Sequence, residues 1–169
     1  MKSLNGARAE GSKSRTVIPK YLAPSNFMPT GLRHLARVAA LQTLFELEYA
    51  ASSPDSVLER TLSIKALTGD AAGFARELVY GVLKNQESLN GTIKRYATAF
   101  PVEQLAGMDR NILKIALYEI LLDDKTPAKV AVNEAVVLAK EFGSETSPKF
   151  INGVLGTVIT KGQRPKKSD

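Results

Sequence analysis

The stretch MDRNILKIALYEILL (108–122) is apolar around most of a helical cylinder. Only Arg110, Lys114 and Tyr118, one turn apart, with Asn111 beside them, make a polar strip. A helix of that kind is stable only when other elements surround it. It therefore predicts a layered helical body with this segment, about 107–122, at its centre.

The rest of the chain supplies the surrounding helices. GLRHLARVAALQTLFELEYA predicts a first helix over about 31–51. Ser-Ser-Pro-Asp at 52–55 opens a second, about 54–67, with Val57, Leu58, Thr61, Leu62 and Leu67 along it. Asp70, after Gly69, is expected to cap a third through FARELVYGVLKN, with a break near residue 86 before SLNGTIKRYAT. Phe100-Pro101 punctuates the chain. Thr126-Pro127 opens a helix of about 127–142, and Gly143 after it sits where a left-handed C′ residue is expected. Ser147-Pro148 opens the last helix, ending near Lys161. No strand-like alternation and no internal repeat occur. The expected fold is all-α, in two groups of helices meeting near Phe100-Pro101 and sharing one core.

Charge is distributed unevenly. Residues 1–29 lack periodicity and, with Lys2, Arg8, Lys13, Arg15 and Lys20 against Glu10, read as a flexible basic extension. Residues 162–169 form a second basic tail, and the helical domain of 30–161 between them is near neutral. Two basic ends suggest a polyanionic partner, although charged tails also serve solubility alone. The start lacks the apolar core of a secretory signal, and no apolar run approaches a membrane span.

Catalytic constellations are missing. The chain has no cysteine and one histidine, His34. That excludes thiol nucleophiles and multi-histidine metal sites. No phosphate-binding Gly-rich loop and no serine nucleophile elbow occurs. Asp123 and Asp124 read as a solvated turn, and His34 as a side chain facing solvent or RNA. The chain reads as a non-enzyme with no cofactor.

Two places look suited to a polyanion. Arg33 and Arg37 stand one turn apart on the first helix, and like charges at that spacing cost a few tenths of a kcal/mol. A phosphate chain would offset that cost; so would glutamate partners. The second place is SPKFINGVLG (147–156). Ile151, Val154, Leu155, Val158 and Ile159 form one apolar stripe. Lys149 falls opposite it and Phe150 at its edge, beside the open N–H groups expected of a first helical turn. An ammonium, an aromatic ring and those N–H groups describe a contact for single-stranded RNA. On the residues alone, a packed Phe150 and a solvated Lys149 are favoured, since apolar side chains are usually core. Gly153 and Gly156 suggest close approach of another helix or of a ligand.

The block KVAVNEAVVLAKEFGSETSPKFINGVLG (129–156) resembles the NusB family of transcription antitermination factors. MDRNILKIALYEI (108–120), FARELVYGV (74–82) and ARVAALQTLF (36–45) resemble its other blocks, in family order. The resemblance implies two perpendicular helical subdomains and a cytoplasmic, non-catalytic factor. Such a factor binds boxA-type single-stranded RNA together with the ribosomal protein NusE and serves the transcription elongation complex. It implies RNA contacts at Arg33 and Arg37, with His34 and Leu35 standing where relatives often carry arginine. It also implies contacts at Glu145, Thr146, Ser147, Lys149, Phe150 and Asn152, with Thr146 in place of a common Asp. Phe45, Tyr96 and Asp109 fall at partner-facing positions. The RNA is expected in a groove between the first helix and the start of the last, with Arg37 setting part of the salt dependence. Homodimer and monomer both stay open. So do two other roles: a domain cut from a ribosomal RNA cytosine methyltransferase, and a helical adaptor that binds only protein.

Overall fold

The structure, a computed structural model, describes residues 28–162. The two expected tails, 1–29 and 162–169, lie outside these residues except for Met28, Pro29 and Gly162. Seven α-helices follow one another: α1 Met28–Tyr49, α2 Pro54–Ile64, α3 Gly69–Lys84, α4 Gln86–Tyr96, α5 Gly107–Tyr118, α6 Ala128–Phe142 and α7 Ser147–Lys161. A 3-10 turn at Val102–Gln104 precedes α5, and a π turn at Glu119–Asp123 extends it. The described residues contain no strand.

The nearly all-round apolar helix is the centre. Every residue from Asn111 to Leu117 is buried, and α5 touches α1, α3, α4, α6 and α7. α1 packs chiefly on α3 and α2, and α6 on α7. The two groups of helices thus meet across α5. Its polar strip is neutralised inside the fold. Arg110 donates to both carboxylate oxygens of Glu48 and to the carbonyls of Val102 and Leu105. The Lys114 ammonium lies 3.3 Å from Gln86 Oε1, and burial, partly opposed by Glu48, pushes its pKa down. Tyr118 lies across α3: a Cβ on Gly81 would stand 2.2 Å from its ring, which is why that helical position lacks a side chain.

Helix ends follow local chemistry. Ser53 caps α2 by accepting the Ser56 N–H at 3.2 Å, and Pro54 fills the first helical position. α3 is entered from Thr68 through Gly69 at φ +56°, so Asp70 is a first-turn residue and not the cap. The expected break before α4 falls at Asn85, whose side-chain amide donates to the Gly81 carbonyl at 2.7 Å. Gly143 is not left-handed; its backbone is extended at φ −89° and ψ −170°. Glycine is needed there because a Cβ would lie 2.5 Å from the Ser147 Cβ and 2.7 Å from the Ala139 carbonyl. Close approach of the α6–α7 turn, not backbone handedness, selects it.

Candidate nucleic-acid interface

The two arginines of α1 part company. Arg33 is exposed, with its guanidinium 5.2 Å from the centre of the Phe74 ring. It lines a groove of about 510 Å³ with Gly69, Asp70, Phe74, Glu77, Asp123 and Lys125. Three carboxylates against two cations make that groove a poor seat for phosphates. Arg37 is only 2% exposed. Its Nε and NH2 donate to Glu119 Oε2 and Oε1 at 3.0 and 2.7 Å, and its NH1 lies 3.5 Å from Glu134. The expectation of Arg37 as a phosphate contact is therefore corrected. Its charge is used inside the core, where an unpaired guanidinium could not remain.

His34 is half-buried, and both of its ring nitrogens are engaged by α6 rather than open to RNA. Its Nδ1 lies 3.0 Å from Glu134 Oε2 and its Nε2 2.9 Å from Glu141 Oε1, so the ring ties α1 to α6. The bond to Glu134 holds the imidazole pKa above 6.5 despite the opposing effect of burial. Burial pushes the Glu134 carboxyl up, but His34 and Arg37 outweigh it and hold its pKa below 4.5. Because the folded pKa of His34 is raised, its extra stability is complete below 6.5 and lost as pH climbs through the folded value. Urea midpoints are expected to fall as pH climbs above 6.5, and His34→Gln to remove that dependence.

The start of α7 forms a different groove. Tyr96, Ala97, Thr98 and Ala99, at the end of α4, face Thr146, Lys149, Phe150, Gly153, Val154 and Thr157 across about 480 Å³. Lys149 is exposed and Phe150 half-buried, so the ring both packs on the core and presents surface to the groove. Ile151, Val154, Leu155 and Val158 are buried as the stripe requires, whereas Ile159 is 41% exposed and ends it. Among the described residues, none of α1 lines this space. The expected cradle between α1 and α7 is thus corrected to one between the end of α4 and α7.

The other expected contacts divide. Glu145 and Asn152 are exposed but do not line the groove. Ser147 is 1% exposed, and its hydroxyl accepts the Ser144 N–H at 2.8 Å. It therefore braces the α6–α7 turn from inside, and the RNA contact expected of it is not available. Thr146, not Ser147, is the N-cap of α7. The open N–H groups expected there are fewer: Ser147 N–H donates to Ser144 O, Pro148 has none, and Phe150 N–H donates to Thr146 O. Among the described residues that line the groove, the charge available to phosphate is the Lys149 ammonium.

Of the partner-facing positions, Tyr96 belongs to the α4–α7 groove. Phe45 lies elsewhere, 4.9 Å from the exposed Tyr49 ring and beside Gly107 at the start of α5. Asp109, two residues on, holds one buried carboxylate oxygen with no hydrogen-bond partner. The wall Ala97–Ala99 was not foreseen, because small residues before a Phe-Pro break carry no periodic signal. Neither Gly153 nor Gly156 has a neighbour within 4 Å of a built Cβ, so close helix packing does not explain them. Each costs the helix up to about 1 kcal/mol.

Among the described residues no group of His, Cys, Asp and Glu could hold a metal ion. The described residues form an all-α protein with an open groove that carries two aromatic rings and a lysine. Residues 34–160 match the model of the NusB family. The chain belongs to that family. It is 47% identical over 131 residues to the transcription antitermination protein NusB of Chloroflexus aggregans, covering 76% of this chain and 87% of that one. With the protein of the same name from Bacillus licheniformis it shares 38% over 126 residues, 75% and 95% of the two chains. The fold is similar to T. maritima NusB, with a TM-score of 0.72 at 31% identity over 80% of this chain and 94% of that one. It is also similar in fold to a chain from a structure of NusB and NusE in complex with dsRNA, at a TM-score of 0.71 and 22% identity, covering 78% and 98%.

Proposed function

We propose that this chain acts in transcription antitermination by holding boxA-type single-stranded RNA in the α4–α7 groove, jointly with NusE. It is not an enzyme; the relatives it matches are named antitermination proteins, which supports neither the methyltransferase-fragment role nor the pure adaptor. The observation that carries the RNA site is the juxtaposition of Tyr96, Phe150 and Lys149 around one open groove. Phe150 and Tyr96 offer ring surface for unpaired bases, with the Arg95 guanidinium 5.4 Å from the Tyr96 ring centre, and Lys149 offers a phosphate contact. Duplex RNA presents no free base faces to such a groove. Glu145 and Asn152, exposed nearby, extend the contact beyond the groove itself. Phe45 and Asp109 mark a separate surface, at the α1–α5 corner, for the protein partner. The assembly works on the elongation complex in the cytoplasm, as a monomer or a homodimer when free. Among the described residues no helix is long and apolar enough to cross a membrane.

Titration of boxA-type and scrambled single-stranded RNA, with and without NusE, tests this reading. Preference for the boxA-type RNA, larger with NusE present, is the expected result. NusE binding with no gain in RNA affinity would support the adaptor role instead. Equal affinity for both RNAs under both conditions would overturn the proposal.

A further inference from the structure

Thr146, Lys149, Phe150, Gly153, Val154 and Thr157 face the groove at the three- and four-residue spacing of a single helix face. Gly153 is the middle of that row, so any side chain there would project into the space opposite Tyr96–Ala99. Yet nothing inside the protein requires glycine. A built Cβ meets no atom within 4 Å, and Gly153 is not among the left-handed residues. Gly81 and Gly143, by contrast, are forced by clashes at 2.2 and 2.5 Å. The Gly153 carbonyl already accepts the Thr157 hydroxyl at 2.9 Å. What the bare turn offers is therefore a flat van der Waals surface, one turn beyond the Phe150 ring.

We propose that Gly153 is a positioning residue: it leaves α7 bare so that the face of one unpaired nucleobase can lie against the helix between Phe150 and the Tyr96 wall. This rests on the RNA reading of the groove. Gly153 sets the depth at which that base sits, and a side chain there displaces it from both rings.

The test measures thermal stability together with binding of a short fluorescein-labelled boxA-type RNA, with NusE present. Gly153→Ala is expected to raise the melting temperature by a few degrees and to weaken binding. Gly153→Leu is expected to weaken it by roughly tenfold or more, since the larger group fills the seat. Gly91→Ala, on exposed α4 surface with no neighbour within 4 Å, is the control: stability rises and affinity holds. Wild-type binding matched within about twofold by Gly153→Leu overturns the seat alone. Failure of the wild-type protein to bind single-stranded RNA overturns the groove reading, and the seat with it.

Discussion

Arg37→Ala is expected to destabilise the fold by about 3–5 kcal/mol, measured as a drop in urea midpoint at unchanged m-value. Domains of this kind hold only about 5–15 kcal/mol in all. The guanidinium is buried, and so is its partner Glu119, which is 1% exposed. Glu119 Oε1 accepts both Arg37 NH2 at 2.7 Å and the Thr126 hydroxyl at 2.9 Å. Truncation would leave the Glu119 carboxylate buried with one neutral donor, and Glu134 without the nearby charge 3.5 Å away. The Arg37→Met, Glu119→Leu pair should recover most of the loss, because it removes both charges and keeps apolar volume. The salt dependence of RNA binding by the folded fraction should not change. A stable Arg37→Ala protein with a flattened salt slope would return Arg37 to the RNA surface and contradict the structure.

Phe150→Ala is expected to weaken RNA binding by about 1–3 kcal/mol, roughly 5- to 150-fold, with the salt slope intact. The ring is half-buried at the edge of a groove it shares with Tyr96, so its loss removes a stacking face together with some packing on the core. Lys149→Ala should act in the opposite way. It is the one Lys or Arg among the described groove-lining residues. Its removal should reduce the log–log salt slope by about 0.7, the value for one phosphate contact on a single strand. Affinity titrations at several salt concentrations separate the two effects. Equal slope changes in both variants would mean that neither acts as assigned.

The helices were legible because the core demands them. α5 announces its burial by being apolar on nearly every side, and the stripe of α7 is readable through Val158. Lys149 and Phe150 could be placed at a helix start because Pro148 marks one. Arg37 could not be placed. Its partners Glu119 and Glu134 lie 82 and 97 positions away, and one turn of helix from Arg33 it has the same local pattern as a surface cation. Both guanidiniums approach the Phe74 ring, at 5.2 and 5.1 Å from its centre, but Arg33 lines the open α3 groove whereas Arg37 turns inward to Glu119. His34 was misread for the same reason, since its partners Glu134 and Glu141 reach it from α6, a helix packed chiefly on α7 and α5. Ser147 was misread for a subtler one. Ser-Pro has the composition of a cap, but the turn closes one residue earlier and draws the hydroxyl inward. The groove wall at Ala97–Ala99 arises from where α4 stops relative to α7, which no local pattern encodes.

Photo-crosslinking of a boxA-type RNA carrying 5-iodouridine, in complex with this chain and NusE, tests the location of the RNA most directly. Both grooves hold an aromatic ring, so either can report: Tyr96 and Phe150 in one, Phe74 in the other. Crosslinked peptides containing Tyr96 or Phe150 are the expected result. Crosslinks confined to the peptide of Phe74, with the Tyr96 and Phe150 peptides unmodified, would contradict the account.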